Sequence, residues 1–303
     1  MTSLDRPLRR QLFLSEFAGM VDASLVRINY DAIHALTADL DSLVLYRSGR
    51  PFDLPDGDPA GAIPYLLALS SLQYRFWDGE GEGYRRYCLE GRTGASAMAL
   101  GFDRAWGESQ EPGGGILACC SYEASVQLYF GEIPDPLSRS ETLQDVLGST
   151  RLSEVVSKLD GVFRSGAVDV ETAQLIAEAF PIAFGDPFLK KAQLALILMV
   201  AEYRASGISV EEDLLAFADY QVPSVLRHLG VLVYAPALAD LIDSRRLIPP
   251  GGVVEHSIRA ASVLACEEIS KRFGVKPSQV DGWLWRQRML SSQPFHLTKT
   301  NFY

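Results

Sequence analysis

Apolar residues recur along most of this chain at the three- and four-residue spacing of an amphipathic helix. Because residues three or four apart share one face of a helix, each such stretch predicts a helix with a buried stripe. The first two stretches are marked by Leu8, Leu12, Phe17 and Met20, and then by Ile33, Leu36, Leu40 and Leu43 after Asn29. With proline and glycine as boundary signals, further helices are predicted near 65–71, 95–107, 141–149, 151–164, 170–180, 187–205, 210–218, 223–229, 236–244, 254–273 and 277–290.

One segment departs from the helical pattern. Apolar and polar residues alternate over 72–77, residues 78–83 are only Asp, Glu and Gly, and 84–89 can return antiparallel. This pattern predicts a small β-hairpin near 72–89. Helical patterning resumes directly after the glycine-rich loops at 111–115 and 249–252. The predicted fold is therefore mainly α, with one domain spanning residues 1–303 and a β-hairpin inserted into it.

Composition limits the classes of partner. The 303 residues are 48% apolar, which is ample for a large core, and carry a formal charge of -10. An acidic chain is poorly suited to neutralising many phosphates, so a polymeric nucleic acid partner is not expected, whereas a small anionic ligand needs only a few cations. The longest apolar run, 194–201, falls far short of the about 20 residues that span a bilayer. We expect a soluble, cytoplasmic protein with free cysteines, and the sequence does not indicate its oligomeric state.

Several catalytic motifs are absent from the sequence. Gly113, Gly114 and Gly115 do not complete a phosphate-binding loop, the four histidines have no metal-ligand spacing, and no serine lies in a nucleophile elbow. No metal or cofactor is therefore predicted. Carboxylate chemistry is the main option left, because a carboxylate can stabilise the positive charge that develops when a glycosidic bond breaks, and can activate water.

Two aspartates are candidates for that chemistry. Asp219 lies between an apolar run, 214–217, and a helix that begins near Pro223. Since an unpaired buried carboxylate is costly, it must either cap that helix or meet a ligand. Asp281, just before Gly282 and Trp283, presents the same alternatives, and capping is favoured there.

Three cations have unusual positions. Lys190 and Lys191 begin an apolar helix, where their charges oppose the positive end of the helix dipole, so they predict either a bound phosphate or solvated surface lysines. Arg259 stands in the small, apolar stretch 258–265, which favours a buried ion pair or a ligand contact.

The last ten residues are unusually apolar for a chain end, which predicts that they pack back onto the protein. This packing would bring His296 and Lys299 towards a pocket, although the aromatic residues of the segment can equally serve as core. Phe76, Trp77 and Trp285 could stack a flat base, but aromatic side chains more often belong to the core.

At these residues the chain resembles the queuosine salvage protein family, the queuosine 5'-phosphate N-glycosylase/hydrolases. The most specific similarity is Phe217-Ala218-Asp219-Tyr220 followed by His228-Leu229-Gly230 and a late Pro294-Phe295-His296. Weaker matches span most of the chain and include Phe76-Trp77, Phe188-Leu189-Lys190-Lys191-Ala192-Gln193, Ile258-Arg259 and Leu284-Trp285. The chain departs from the family pattern at Gln73, where an Asn is expected, and at Gly94-Ala95-Ser96, where relatives tend to carry aromatic residues.

The resemblance implies a fold like that of the helical DNA glycosylases and hydrolysis of queuosine 5'-monophosphate to queuine and ribose 5-phosphate, so that queuine can be reused in transfer RNA modification. It implies Asp219 as the stabiliser of the sugar cation and as the base for water. The implied phosphate ligands are Lys190, Lys191, His296 and Lys299. The implied base and sugar contacts are Phe217, Tyr220, Trp77, Phe76, Asp281, Trp285 and Arg259. The alternative is a non-catalytic module that binds a modified nucleotide or base.

Overall fold

The computed structural model of this protein describes residues 6–37, 58–108, 115–288, 291 and 293–303. The mainly α fold class is confirmed, since helices dominate these residues. In chain order they are α1 (Arg6–Met20), α2 (Tyr30–Ala35), α3 (Ile63–Ser71), α4 (Ala95–Gly107), α5 (Gly115–Cys119), α6 (Glu123–Phe130), α7 (Pro136–Leu147), α8 (Leu152–Arg164), α9 (Val170–Ala179), α10 (Pro181–Phe184), α11 (Lys190–Ala205), α12 (Gln221–His228), α13 (Pro236–Asp243), α14 (Val253–Phe273) and α15 (Pro277–Gln287).

Most predicted helices are confirmed to within a few residues. Helices α5, α6 and α10 were not predicted, because α10 has only four residues and the apolar spacing of α5 and α6, with exposed Leu117 and Leu128, gives no clear stripe. The second predicted helix ends at Ala35 in the described residues, and its expected continuation through Leu40 and Leu43 lies outside them. In the part of the chain that the structure describes, no helix combines the length and apolar content needed to cross a membrane.

Eight short strands form four two-stranded sheets in the described residues. They are β1 (Val26–Ile28), β2 (Trp77–Asp78), β3 (Arg85–Arg86), β4 (Cys88–Leu89), β5 (Arg92–Thr93), β6 (Ala167–Asp169), β7 (Glu211–Asp213) and β8 (Leu232–Tyr234). Three pairs are antiparallel: β1 with β8, β2 with β3, and β4 with β5. The fourth pair, β6 with β7, is parallel.

The predicted hairpin is confirmed, but its strands are shorter than expected. Trp77 pairs with Arg86 and Asp78 with Arg85, whereas residues 72–76 form no strand. The return segment also divides, because Cys88 and Leu89 turn away to pair with β5. Strand pairing is therefore confined to the residues nearest the turn.

The helix predicted over 210–218 is wrong. Residues 211–213 form β7 and pair with β6, and residues 214–219 have no regular secondary structure. The apolar residues of this stretch are buried without forming a helix, and their spacing in the sequence resembled that of a buried helix face. Its backbone groups form hydrogen bonds with distant side chains, which no local pattern can reveal.

The chain divides into two compact units, each assembled from separate stretches. The first unit comprises Met1–Gly49, Ala167–Glu171 and Glu211–Lys299, as far as these are described. The second comprises Arg50–Gly166, Thr172–Val210 and Thr300–Tyr303. The expectation of a single domain over 1–303 stays a prediction.

Helix α14 is the centre of the first unit. It packs against α1, α12 and α15 and against the β1–β8 sheet. Its buried stripe meets Val26, Leu226 and Leu284 in one apolar cluster, and burial of each Val, Leu or Ile side chain stabilises the fold by about 1.5–3 kcal/mol. The stripe consists of Ile258, Ala261, Ala265 and Ile269.

In the second unit α3 packs against α7 and α11. The fully buried guanidinium of Arg139, on α7, donates hydrogen bonds to four backbone carbonyl oxygens at 2.8–3.1 Å and lies over the ring of Tyr74. Because a buried charge is tolerated only when it is hydrogen-bonded, these carbonyls fix the path of the chain after α3. They belong to Leu72, Tyr74, Arg75 and Pro134.

Replacement of Arg139 should therefore destabilise the protein strongly. We expect Arg139→Met to lower the free energy of unfolding by about 3–5 kcal/mol in urea denaturation, since four buried carbonyls lose their donor. Arg104→Met is the control, because Arg104 forms an exposed pair with Glu90 and its loss should change little. Equal stability of the two variants would contradict the structural role of Arg139.

Candidate active site

The segment that carries Asp219 runs from β7 to α12 in the first unit, and its backbone is held from two sides. The amide of Phe217 donates to Oδ1 of Asp281 at 2.8 Å. The carbonyl of the next residue, Ala218, accepts from Nε of Arg259 at 2.8 Å. The amide of Asp219 donates to the carbonyl of Phe217 at 2.6 Å, closing a tight turn. Buried charged side chains thus supply the hydrogen bonds that a helix or sheet would otherwise provide.

The Asp219 side chain caps α12. Its Oδ1 accepts from the amides of Gln221 and Val222 at 2.8 and 2.9 Å, and the residue is 8% exposed. The capping alternative is therefore confirmed. A carboxylate has two oxygens, so capping through Oδ1 and stabilisation of a substrate charge are compatible roles. The two amides also fix the orientation of the carboxylate.

Arg259 forms the buried ion pair that its apolar surroundings indicated. Its Nη1 lies 3.2 Å from Oε1 of Glu255, one turn earlier on α14, and both side chains are at most 3% exposed. Oε2 of Glu255 in turn accepts from the amide of Gly251. Arg259 therefore links Glu255 to the Asp219 segment.

Asp281 does not cap its own helix, so the favoured interpretation of that residue is wrong. It lies within α15, is buried, and accepts from the amide of Phe217. The buried thiol of Cys266 on α14 lies in the same environment. Burial raises its pKa well above the ordinary value, and the charges of Asp281, Glu267 and Asp219 raise it further. The thiol is therefore protonated near neutral pH, as expected for a structural cysteine.

Aromatic residues surround this segment in the first unit. Phe217 and Tyr220 are buried, and the ring of Tyr220 lies 4.6 Å from that of Phe295, centroid to centroid. Trp285, near the end of α15, is 37% exposed, and the guanidinium of Arg288 lies over its ring. Flat aromatic surfaces are suited to a planar base, and those of Phe217 and Tyr220 flank Asp219 in the sequence.

The late apolar segment packs back onto the protein as predicted, with residues up to Lys299 in the first unit and Thr300–Tyr303 in the second. Leu297 is buried and its carbonyl accepts from the amide of Ile248 at 2.7 Å. The neighbouring His296 is also buried, and burial together with the charge of Arg259 lowers its pKa to about 3. His296 is thus neutral near pH 7, so any phosphate contact would involve a neutral imidazole. Lys299 is exposed.

Lys190 and Lys191 begin α11 in the second unit, as predicted, but the anion at this helix start is the side chain of Asp186. Both oxygens of buried Asp186 accept backbone amides, from Phe188 at 3.2 Å and from Lys190 at 3.0 Å. The Lys190 ammonium donates to the carbonyl of Gln73 at 2.8 Å. An aspartate at this helix start balances the charge that a phosphate was expected to balance.

Lys191 is fully buried. Its Nζ donates to the carbonyl of Ser71 at 2.8 Å and lies 4.6 Å from the centroid of the Tyr74 ring. Burial lowers its pKa well below the ordinary value, and the charges of Lys190 and Arg139 act in the same direction. These contacts describe a packed structural residue, and they give no support to its assignment as a phosphate ligand.

Phe76 and Trp77 also lie in the second unit, and both are buried. Their rings stack on those of Tyr87 and Tyr84, at 6.3 and 6.4 Å between centroids. Core packing therefore describes their surroundings better than an open base-binding wall.

The first unit thus brings Asp219, Phe217, Tyr220, Asp281, Arg259 and His296 into one connected set, whereas Lys190, Lys191, Phe76 and Trp77 belong to the second unit. Within the described residues, no three His, Cys, Asp or Glu side chains are grouped so that they could hold a metal ion.

Comparisons with known proteins indicate the family of this chain. A sequence model described as "Queuosine salvage protein" matches residues 186–303, which include every candidate site residue except Phe76 and Trp77. A Sphaerobacter thermophilus protein named queuosine 5'-phosphate N-glycosylase/hydrolase is 32% identical, with 79% of this chain and 80% of the relative covered. The chain belongs to the queuosine salvage protein family.

Two further similar proteins carry the same name. The one from Mus musculus is 25% identical over 82% of this chain and 84% of its own length. The one from Dictyostelium discoideum is 33% identical over 38% of this chain and 40% of its own length. The resemblance inferred from the sequence is therefore confirmed at the level of the family.

Sequence reasoning about this member of the family missed two residues that contact predicted site residues. Glu255 lies four residues before Arg259, a spacing that indicates an ion pair on a helix, and this signal was available. Asp186 lies four residues before Lys190 but outside the helix, so only the folded chain reveals that it accepts the amides at the helix start.

The buried imidazole of His296 predicts a pH dependence of stability. Because its pKa is about 3 in the folded chain and 6.5 in the unfolded chain, the unfolded chain binds the proton more readily between these values. The favourable contribution of neutral His296 is complete above pH 6.5 and is lost by up to about 1.4 kcal/mol per pH unit as the pH falls.

We expect His296→Gln to flatten the decline of the free energy of unfolding between pH 6.5 and 4, measured by urea denaturation at each pH. His228→Gln, at an exposed histidine, is the matched control and should leave that slope unchanged. An unaltered slope in His296→Gln would exclude a neutral buried imidazole.

Proposed function

We propose that this chain is an N-glycosyl hydrolase that cleaves queuosine 5'-phosphate to queuine and ribose 5-phosphate, returning queuine for transfer RNA modification. The observation that carries the proposal is the fixed Asp219 carboxylate in a chain that is 32% identical to a relative named for this activity. We place the reaction in the cytoplasm, on a small nucleotide and not on a polymer, in keeping with the charge of -10.

The chemistry explains why one well-held carboxylate matters. The leaving base is a 7-deazapurine, in which carbon replaces N7, so protonation at that atom cannot assist its departure. The sugar therefore carries much of the positive charge in the transition state, and electrostatic stabilisation of that charge must lower the barrier. The leaving base takes the electron pair of the broken bond. Water then supplies the hydroxyl group at the anomeric carbon, and the proton that it loses is finally bound by the nitrogen of the released queuine.

Asp219 is suited both to stabilising the sugar charge and to accepting a proton from water. Its position is set by backbone amides before the substrate binds, so little reorganisation is needed when the sugar charge develops. Phe217 and Tyr220, on either side of it in sequence, are buried aromatic residues suited to holding a planar base. We propose that Asp219 stabilises the sugar cation and accepts the proton of the attacking water.

We expect Asp219→Asn to reduce kcat for release of queuine from queuosine 5'-phosphate by at least about 100-fold, measured by chromatography of the products. The asparagine oxygen can still accept the amides of Gln221 and Val222, so the helix cap and the melting temperature should be nearly preserved. The variant thus separates the charge of Asp219 from its capping role.

Asp22→Asn is the matched control, because Oδ1 of Asp22 also accepts an amide two residues later in the same unit. Its activity should equal that of the wild type. Unchanged turnover in Asp219→Asn would remove Asp219 from the mechanism, and tight binding of the nucleotide by the wild type without any product would favour a binding module.

Phosphate recognition by Lys190 stays a prediction that kinetics can test. If its ammonium contacts the 5'-phosphate, Lys190→Ala should raise KM about 10-fold and change kcat little, because the phosphate is bound alike in the ground and transition states. Lys271→Ala, at an exposed lysine paired with Glu268, should change neither parameter. An unchanged KM in Lys190→Ala would exclude the phosphate contact.

A further inference from the structure

The buried pair of Glu255 and Arg259 lies on α14, and one of its contacts is with a segment of irregular backbone. Arg259 is 1% exposed and Glu255 is 3% exposed, so each charge depends on the other and on hydrogen bonds. Arg259 directs its Nε to the carbonyl of Ala218, the residue before the proposed catalytic carboxylate. Glu255 is anchored in turn by the amide of Gly251. A continuous chain of hydrogen bonds therefore runs from the loop before α14 to the peptide that precedes Asp219.

Because the backbone around Asp219 is irregular, the bond from Arg259 to the Ala218 carbonyl affects where Asp219 lies. Residues 214–219 have no helix or strand to define their path, and a second tertiary anchor is the bond from Phe217 to Asp281. The two anchors act on adjacent residues and from two different helices, α14 and α15. Together they hold the backbone of the two residues that precede Asp219.

We infer that Arg259, oriented by Glu255, is a positioning residue that sets the placement of the Asp219 carboxylate through the carbonyl of Ala218. This inference rests on the proposed function. The expected contact between Arg259 and the base or sugar stays a prediction. The inference uses the bonds that direct Nε of the guanidinium to backbone and Nη1 to Glu255. A displacement of about 1 Å at a reacting group can lower the rate about 100-fold, so loss of this anchor should affect kcat.

The test compares single and double variants by steady-state release of queuine from queuosine 5'-phosphate and by thermal melting. Arg259→Met leaves Glu255 as an uncompensated buried charge, so both kcat and the melting temperature should fall. The double variant Glu255→Met with Arg259→Met removes both charges, which should restore much of the melting temperature. It still lacks the donor to Ala218, so we expect kcat to stay about 100-fold low, with KM within about twofold of the wild type.

Arg259→Lys provides a second variant that keeps the positive charge. A lysine lacks the fork that reaches both Glu255 and Ala218, so kcat should fall about 10-fold with little loss of melting temperature. The matched control is Glu267→Gln on the same helix. It breaks a part-buried ion pair with Arg10, at 2.6 and 2.7 Å, and a further partner of Arg10 is Asp213 of β7, outside the irregular residues 214–219. This control should lower the melting temperature and leave kcat unchanged.

Each outcome has a distinct meaning. Recovery of kcat together with the melting temperature in the double variant would overturn the inference, because Arg259 would then be only structural. A raised KM with unchanged kcat in Arg259→Lys would also overturn it, because Arg259 would then bind the substrate directly. A wild-type protein that releases no queuine would overturn the proposed function and this inference with it, whereas normal wild-type turnover with unchanged kcat in the variants would overturn the inference alone.

Discussion

Buried positive charge is the constraint on which both units of this protein depend. Arg139, Lys191 and Arg259 are all at most 1% exposed, and each directs hydrogen bonds to backbone carbonyl oxygens. A cation removed from water must be satisfied by acceptors in the protein, and irregular backbone offers carbonyls that no helix or sheet has used. In this fold the buried cations therefore supply hydrogen-bond donors to the irregular segments, and the carbonyls of those segments supply the acceptors that the cations need.

The second unit shows the consequence for local structure. From the last residue of α3 onwards, the carbonyls of five consecutive residues, 71–75, accept from Lys191, Arg139 or Lys190. Residues 72–76, which alternate like a strand, consequently follow a path set by distant cations, and pairing begins only at Trp77. Lys190 and Lys191, whose charges indicated ligand binding, thus donate hydrogen bonds that hold this backbone in place.

In the first unit, buried charged side chains likewise bond irregular backbone, here directly before Asp219. A regular helix through Asp219 would use its backbone groups internally, whereas the observed turn leaves the Phe217 amide for Asp281 and the Ala218 carbonyl for Arg259. The carboxylate is then oriented by the first amides of α12. Such an arrangement fixes a negative charge in advance, which is what a reaction with a developing sugar cation requires. Stability and chemistry in this region accordingly depend on the same few buried charges.

The sequence alone predicted the mainly α fold, most helix boundaries and the family, because amphipathic spacing and short motifs are local properties of the chain. It also identified Asp219 and Arg259 as residues that needed an explanation, since a charge within an apolar stretch is costly wherever it is buried.

Tertiary structure decided how those charges are satisfied. The helix predicted over 210–218 is absent because Asp281 and Arg259, more than 40 residues away in the sequence, take its backbone groups. Lys191 and Asp281 acquired structural contacts for the same reason. Hydrogen-bond partners of buried charges are set by which elements pack together, and the hydrophobic pattern does not encode that choice.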